Sequence, residues 1–363
     1  MPHLLDAIDD LLEPWLRERG QGTYRAGQVR QWLFTQRAAD FRAMTNLPLA
    51  LRDALIEDFT LWSTQIARHT TADDGTEKLL LSLTDGGQVE CVLLREDPSP
   101  GLSAEDRGVR RTICISTQVG CGMGCVFCAS GLDGLARNLK TGEILEQMLR
   151  LQLLLKPEER LSHIVVMGMG EPLANLDALL PALEEASRED GLGISGRRIT
   201  ISTVGLPKAI RRLADNCPRY RLAVSLHAPN DELRQQIVPV SDKMPLATIL
   251  AEADHYFEAS GRRLTFEYVL LADINDSAEH ATELANLLAR RTALVNVIPY
   301  NPVVGLPYRT PSPHAQETFR RILEARGIAV RFRHRKGDAI DAACGQLRRR
   351  SQLGQALIRP TSG

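Results

Sequence analysis

RTICISTQVGCGMGCVFCAS, residues 111–130, sets the frame for the rest of the chain. Its first six residues, 111–116, are a β-rich apolar run, and a glycine-rich loop carrying Cys121, Cys125 and Cys128 follows at once. Three thiols thus fall within eight residues directly after a strand. Thiolates are soft ligands that suit iron–sulfur clusters or zinc. Structural zinc normally takes four protein ligands, and no fourth Cys or His follows closely. Three thiolates on a four-iron cluster would leave one iron open to a substrate or cofactor. A zinc loop completed by a distant ligand, or buried free cysteines, are the alternatives.

Outward from this loop, the chain alternates β-rich runs and helical patterns. Further short runs occur at 163–167, 198–203, 222–226, 265–271 and 294–299, with helical periodicity at 141–155 and 175–188 between them. That alternation implies an α/β fold with a parallel sheet and crossover helices. Six such units make either an open doubly wound sheet or a partial barrel, and periodicity does not choose between them. Upstream, 66–95 contains two apolar runs joined by Asp85-Gly86-Gly87, a hairpin signal, and 97–108 reads as a Pro- and Gly-rich surface loop. Residues 4–19 and 25–59 carry apolar positions at three- and four-residue steps and are expected to be helices.

Composition narrows the class. The chain has 363 residues, 44% hydrophobic and 25% charged, which suits a globular protein of two or three domains and excludes general disorder. Lys plus Arg total 44 against 45 Asp plus Glu, so a uniformly basic coat is excluded. Charge is uneven, however. Residues 1–99 hold 10 basic against 16 acidic side chains, and residues 320–363 hold 11 against 3. The basic C-terminal end suits an anionic partner. Seven cysteines are too few for a disulfide scaffold, the N-terminus does not resemble a secretory signal, and no run of 18 apolar residues occurs. A cytoplasmic protein with no membrane association is expected.

Motifs beyond the cysteine loop complete the pattern. They are MGMGEPLANLDAL (167–179), ITISTVGL (199–206), LAVSLHAPNDELR (222–234), IPYNP (298–302) and GDAIDAACGQL (337–347). Together with 114–144 and the N-terminal block around Tyr24–Leu55, they resemble the RlmN/Cfr family of radical S-adenosylmethionine RNA adenosine methyltransferases. The resemblance spans nearly the whole chain. It departs at Lys140, where Thr is expected, and in a longer loop at 97–110.

The resemblance implies a partial (β/α)6 radical-SAM barrel with a small N-terminal helical accessory domain and a C-terminal extension. The expected division is 1–65 helical, 66–108 hairpin extension and loop, 109–305 barrel core, and 306–363 C-terminal segment. Cys121, Cys125 and Cys128 would hold a [4Fe–4S] cluster whose open iron chelates S-adenosylmethionine. Gly170, Glu171, Ser202, Ser225, Leu226, His227 and Asn301 would bind that cofactor, with Glu171 on the methionine ammonium.

Cys344 would first be methylated, and a 5′-deoxyadenosyl radical would then take hydrogen from its S-methyl group. The resulting carbon radical would add to adenine. Such a route is needed because a ring carbon between two nitrogens is not nucleophilic. Cys114 would resolve the adduct by forming a disulfide with Cys344. Glu90 would accept the ring proton. Cys91 and Cys217 are expected to be structural.

Alternating Arg331, Arg333 and Arg335, then Arg348, Arg349 and Arg350, form a basic patch expected to meet phosphates on one face. Arg25, Arg30 and Arg37 are the expected RNA contacts of the acidic N-terminal region. The implied substrate is carbon 2 of adenosine in 23S rRNA, with tRNA as a second candidate. The implied partner is an electron donor such as flavodoxin or ferredoxin, and the implied state is a monomer. Methylation at carbon 8, or a non-catalytic cluster-bearing RNA-binding factor, are the competing readings.

Overall fold

The computed structural model describes residues 1–96, 109–333 and 340–347. The N-terminal region contains α1 (Ile8–Glu18), α2 (Tyr24–Phe34) and α3 (Leu49–Asp58). The helix expected over 25–59 is therefore two helices with an irregular link. Pro48 removes a backbone donor and disfavours helix at the residue before it, so the second helix restarts after it. Arg37 adopts a positive φ of 58°, and Asp40 caps a short turn by accepting from Ala43 N–H at 2.9 Å.

One sheet of ten strands organises the molecule. The strands are β1 (Thr64–Thr71), β2 (Glu77–Leu83), β3 (Gln88–Glu96), β4 (Arg110–Cys114), β7 (His163–Val166), β8 (Ile199–Thr203), β9 (Arg221–Ser225), β10 (Leu264–Leu270), β11 (Ala293–Pro299) and β12 (Ala329–Phe332), in that order across the sheet. A separate two-stranded ribbon, β5 (Gln118–Gly120) and β6 (Leu135–Asn138), flanks the cysteine loop.

From β4 to β12 all pairings are parallel, whereas β1 to β4 pair antiparallel. The helices α4 (Thr141–Gln152), α5 (Leu176–Ser187), α6 (Pro207–Asn216), α7 (Asp231–Ile237), α8 (Leu246–Ser260), α9 (Ala278–Leu287) and α10 (Pro313–Ala325) fill the crossovers. A doubly wound sheet reverses its strand order at a switch point. Here spatial order follows chain order throughout, so the sheet winds in one sense as a partial barrel. β12 adds a seventh parallel strand beyond the six expected.

The expected hairpin is β2–β3, with Gly86 at a φ of 81° in its turn. β1, which the sequence reading missed, pairs with β2. Its outward face is exposed and polar, so it carries no apolar run to read.

The core is continuous. Ile113, Ile164, Ile201, Val224, Phe266 and Val297 are all fully buried along successive strands. The N-terminal helices join the same cluster through Leu4, Leu12, Leu16, Val29 and Leu33. Polar clamps fix them to the barrel. Buried Arg30 donates to Glu185 at 2.7 Å, to Asp190 at 2.6 Å and to Asp9 at 3.2 Å. Arg37 donates to the carbonyls of Leu155 and Lys156 at 3.1 and 2.9 Å, and also to that of Glu159. Both guanidiniums are engaged in holding the helices on the barrel rather than standing free for phosphates as expected. Arg25 lies over the Tyr24 ring and donates to Gln28.

Candidate active site

The functional residues gather at the C-terminal ends of the parallel strands. β4 ends at Cys114, and the chain then runs against the glycine-rich turn after β7. Ser116 Oγ donates to the Glu90 carbonyl at 2.6 Å and accepts from Met169 N–H at 2.8 Å. Gln118 Oε1 accepts from Glu171 N–H at 2.8 Å. Gly168 and Gly170 permit this close approach. A Cβ at Gly168 would sit 2.6 Å from Ser116 Oγ, and Gly170 has a φ of 104° with Gln118 equally close.

The cysteine loop closes back on itself. Cys121 N–H donates to Gly134 at 3.0 Å, and Cys128 N–H to Cys125 at 3.1 Å. Burial pushes all three thiols up, Cys121 to about 11. For Cys125 the charges of Cys128 and Cys121 add to the rise. Three neighbouring, half-buried sulfurs repel one another as thiolates unless cationic iron compensates them. The donor set thus fits an iron–sulfur cluster.

Around the loop stand the side chains expected to meet the organic cofactor. Glu171 is buried, and its two oxygens accept from Leu173 N–H at 3.0 Å and Val204 N–H at 2.9 Å. Burial raises its pKa, against those hydrogen bonds. Ser202 and Ser225 place their hydroxyls 3.5 Å apart on β8 and β9. Leu226, just past β9, donates its N–H to the Glu267 carbonyl at 3.0 Å.

His227 adopts a positive φ of 61°, held by Asn275 Nδ2 on its carbonyl at 2.8 Å. Its Nδ1 accepts from Val269 N–H at 3.1 Å, so the remaining proton sits on Nε2. Burial, with Arg234 nearby, lowers its pKa to about 3 and keeps the imidazole neutral. Its ring meets Phe127 edge-on at 4.8 Å. Asn301 donates to the Cys344 carbonyl at 3.2 Å, while its buried Oδ1 has no partner among the described residues. Buried Arg234 likewise leaves Nη1 unpartnered there. An orphaned acceptor and an orphaned donor beside the thiols suit a polar ligand.

The C-terminal segment brings Cys344 to this site. Ala129 N–H donates to the Gly345 carbonyl at 2.8 Å, Ser130 Oγ to Leu347 at 2.8 Å, and Gln346 Nε2 to Pro302 at 3.1 Å. Cys344 therefore lies against the cysteine loop despite its distance in sequence. Its sulfur also adds to the rise in the Cys114 pKa, which burial pushes to about 12. Both sulfurs are free thiols in this structure. Glu90, on β3, is buried and pairs with Lys78 at 2.9 Å.

Arg333 departs from expectation. Its backbone N–H continues the pairing with Val297 at 2.9 Å, and its guanidinium turns inward toward Cys344. Arg331 alone of the described pair is exposed; Arg335 and Arg348–Arg350 lie outside the described residues. The phosphate-facing alternation therefore does not hold at 333. Cys91 is fully buried and Cys217 packs against the core, both without a place in the site. Sequence reasoning missed Lys78, Arg234 and Glu267 and gave Arg333 another role. Their buried partners reveal them: Glu90 for Lys78, backbone carbonyls for Arg234, and each other for Glu267 and Arg333.

A partial barrel with three thiols at the top of its first strand defines a radical S-adenosylmethionine enzyme. The Radical SAM superfamily model matches residues 115–285, and the Ribosomal RNA large subunit methyltransferase N-terminal domain model matches residues 3–61. The chain is 61% identical over 347 residues to the probable dual-specificity RNA methyltransferase RlmN of Rhodopirellula baltica, covering 96% of this chain and 91% of that protein. It is 46% identical to a counterpart from Opitutus terrae, covering 98% and 97%. A crystal structure of a radical SAM methyltransferase from Sphaerobacter thermophilus superposes with a TM-score of 0.89 at 41% identity, over 96% of this chain and 99% of that one. The chain belongs to the RlmN family of radical SAM RNA methyltransferases. Its cofactors are the [4Fe–4S] cluster and S-adenosylmethionine of that superfamily. No helix among the described residues is long and apolar enough to cross a membrane.

Proposed function

We propose that this enzyme methylates carbon 2 of adenosine in 23S rRNA and in tRNA, using Cys344 as a covalent methyl carrier. The observation that carries the reading is the meeting of Cys344 with Cys114 and the cysteine loop in one site, although more than 200 residues separate Cys344 from the other two. The dual-specificity name of its relatives supports two RNA classes and favours carbon 2 over carbon 8. The presence of Cys114 and Cys344 beside the loop argues against a silent binding factor.

In this reading Cys121, Cys125 and Cys128 hold the cluster. Gly170, Glu171, Ser202, Ser225, Leu226, His227 and Asn301 bind S-adenosylmethionine, with Glu171 accepting from its ammonium and neutral His227 offering a donor at Nε2. When bound, the cofactors supply a methyl group, an electron and a hydrogen-abstracting radical. The protein's residues do the rest. Cys344 sulfur accepts the methyl group and links to the adenine through that carbon. Glu90 takes the proton from carbon 2, and the adduct radical gives up one electron to the redox chain that supplied the cleaving electron, so the ring is closed-shell before the thiol step.

Cys114 sulfur then bonds to Cys344 sulfur, and the Cys344 S–C bond breaks. The electron pair stays with carbon, which takes a proton to become the product methyl group, and a thiol reductant later reopens the disulfide. Residues 1–65 serve as an RNA-contacting accessory unit, 66–108 as an extension, 109–305 as the barrel and 306–363 as the carrier segment. A flavodoxin- or ferredoxin-type protein supplies the electron, and the enzyme works as a cytoplasmic monomer.

The deciding assay is anaerobic turnover with methyl-labelled S-adenosylmethionine and separate 23S rRNA and tRNA substrates, followed by nucleoside analysis. Label in 2-methyladenosine supports the reading; label at carbon 8, or none, overturns it.

A further inference from the structure

Lys78 is a buried lysine on β2, in register opposite Val92, two residue pairs from Glu90 and on the same face. Lysines are almost never fully buried without partners that repay desolvation. Lys78 has two, and they belong to different parts of the chain. Nζ lies 2.9 Å from Glu90 Oε1 and donates to the Asp341 carbonyl at 3.0 Å. Asp341 holds a positive φ of 51°, an uncommon conformation for a non-glycine residue that surrounding structure must impose. That conformation presents its carbonyl to Lys78, three residues before Cys344.

The other end of this segment is tied to the cysteine loop and to the turn after β11, through Gly345, Gln346 and Leu347. The carrier segment therefore bridges the barrel, and Lys78 is its tie on the antiparallel side. A cavity of about 210 Å³ opens at this junction, lined by Arg68, Thr70, Lys78, Leu80, Glu90 and Asp341 among others.

We propose that Lys78 is a positioning residue that locks the carrier segment to the strand bearing Glu90, so that the base and the methyl-carrying thiol address the same adenosine. This rests on the roles given above to Glu90 and Cys344. One ammonium serves both: it lies against the Glu90 carboxylate beside the cavity, and it fixes the backbone from which Cys344 projects. Without it, the segment loses a tie to β2 and the carboxylate loses an adjacent cation.

The test uses full-length, cluster-reconstituted protein with Lys78→Gln, Lys78→Arg and Glu90→Gln. In Lys78→Gln, amide hydrogen exchange across 340–347 rises about tenfold, the equivalent of one lost charge-assisted hydrogen bond. In the same variant the acid limb of the pH–rate profile moves to higher pH. Exchange in β4 and the brown cluster absorbance stay unchanged. Lys78→Arg, which keeps the cation, restores protection and part of the rate.

Glu90→Gln loses turnover but keeps the segment protected, because its amide oxygen still accepts from Lys78. A wild-type value of either readout in Lys78→Gln overturns the proposal. Should Lys78→Gln fail to hold its cluster, Lys78→Arg decides: wild-type protection across 340–347 supports the tie, and its loss opposes it. A Glu90→Gln enzyme turning over normally would instead overturn the base assignment and leave exchange as the deciding measurement.

Discussion

Arg333 Nη1 lies 3.8 Å from Cys344 Sγ, and its Nη2 lies 3.9 Å from the buried carboxylate of Glu267. Glu267 is held in turn by Asn296 Nδ2 at 2.8 Å. Burial works against the Arg333 charge, but Glu267, Cys344 and Cys114 together raise its pKa. A fixed cation therefore faces the carrier sulfur. Methylation of that sulfur needs a thiolate nucleophile, which a guanidinium stabilises. Arg333→Met should slow S-methylation of Cys344 by about 10- to 100-fold, the worth of one charged hydrogen bond. Mass analysis of the Cys344 peptide after a single turnover measures it. A phosphate contact would behave differently, lowering RNA affinity and its salt slope.

Cys344 and Cys114 separate the two halves of the reaction. Cys344→Ala should abolish methyl transfer while the iron content and visible absorbance persist. Cys114→Ala should instead accumulate a protein–RNA adduct on a denaturing gel. Free methylated RNA released at the normal rate from Cys114→Ala would remove it from the resolving role.

The Cys114 thiol, pushed up to about 12 chiefly by burial, is protonated at neutral pH. Attack on the adduct requires its thiolate, so the reactive fraction rises about tenfold per pH unit well below that pKa. Adduct decay, followed by quenching onto denaturing gels between about pH 7 and 9, should therefore accelerate with a log–log slope near one. A flat profile would mean that another group takes the proton or that another step limits release.

The parallel strands, the hairpin turn at Gly86 and the cysteine loop were legible because each has a local signature: an apolar run, a turn dipeptide, a ligand spacing. The choice of barrel over doubly wound sheet was not, because strand order is set by long-range packing. The helix at 25–59 was over-extended because apolar spacing continued through a link that Pro48 interrupts. The cofactor-side residues followed from family motifs, but their partners did not. Lys78 carried no signal in sequence and Arg333 read as a phosphate contact, and only the fold sets them against Glu90, Glu267 and Cys344. Arg30 and Arg37 misled for the same reason, since basic residues in an RNA enzyme look like phosphate ligands until their carboxylate and carbonyl partners are known.

His227 makes stability pH-dependent in a defined window. Its pKa is lowered from 6.5 to about 3, first by burial and then by Arg234. Between those values the unfolded chain binds more protons, so stability falls as pH drops from 6.5 toward 3, by at most about 1.4 kcal/mol per unit from this group. Above pH 6.5 the contribution is complete. His227→Gln should flatten the acid side of a denaturation-midpoint profile relative to wild type. An unchanged acid slope would place the proton loss elsewhere.

Arg30 tests the accessory helices. Its side chain is 3% exposed and engages Asp9, Glu185 and Asp190 together. Arg30→Ala leaves a void and leaves Arg188 to offset these three partly solvated carboxylates, a loss of roughly 1–3 kcal/mol, below that of a fully buried pair. The helices should then melt from the barrel in a separate, earlier thermal transition, visible by calorimetry, while the iron-based absorbance is retained to the second. Because Arg30 contacts no solvent-facing phosphate site, the salt slope of RNA binding measured below the first transition should match wild type. A single unchanged transition with a reduced salt slope would return Arg30 to the RNA surface.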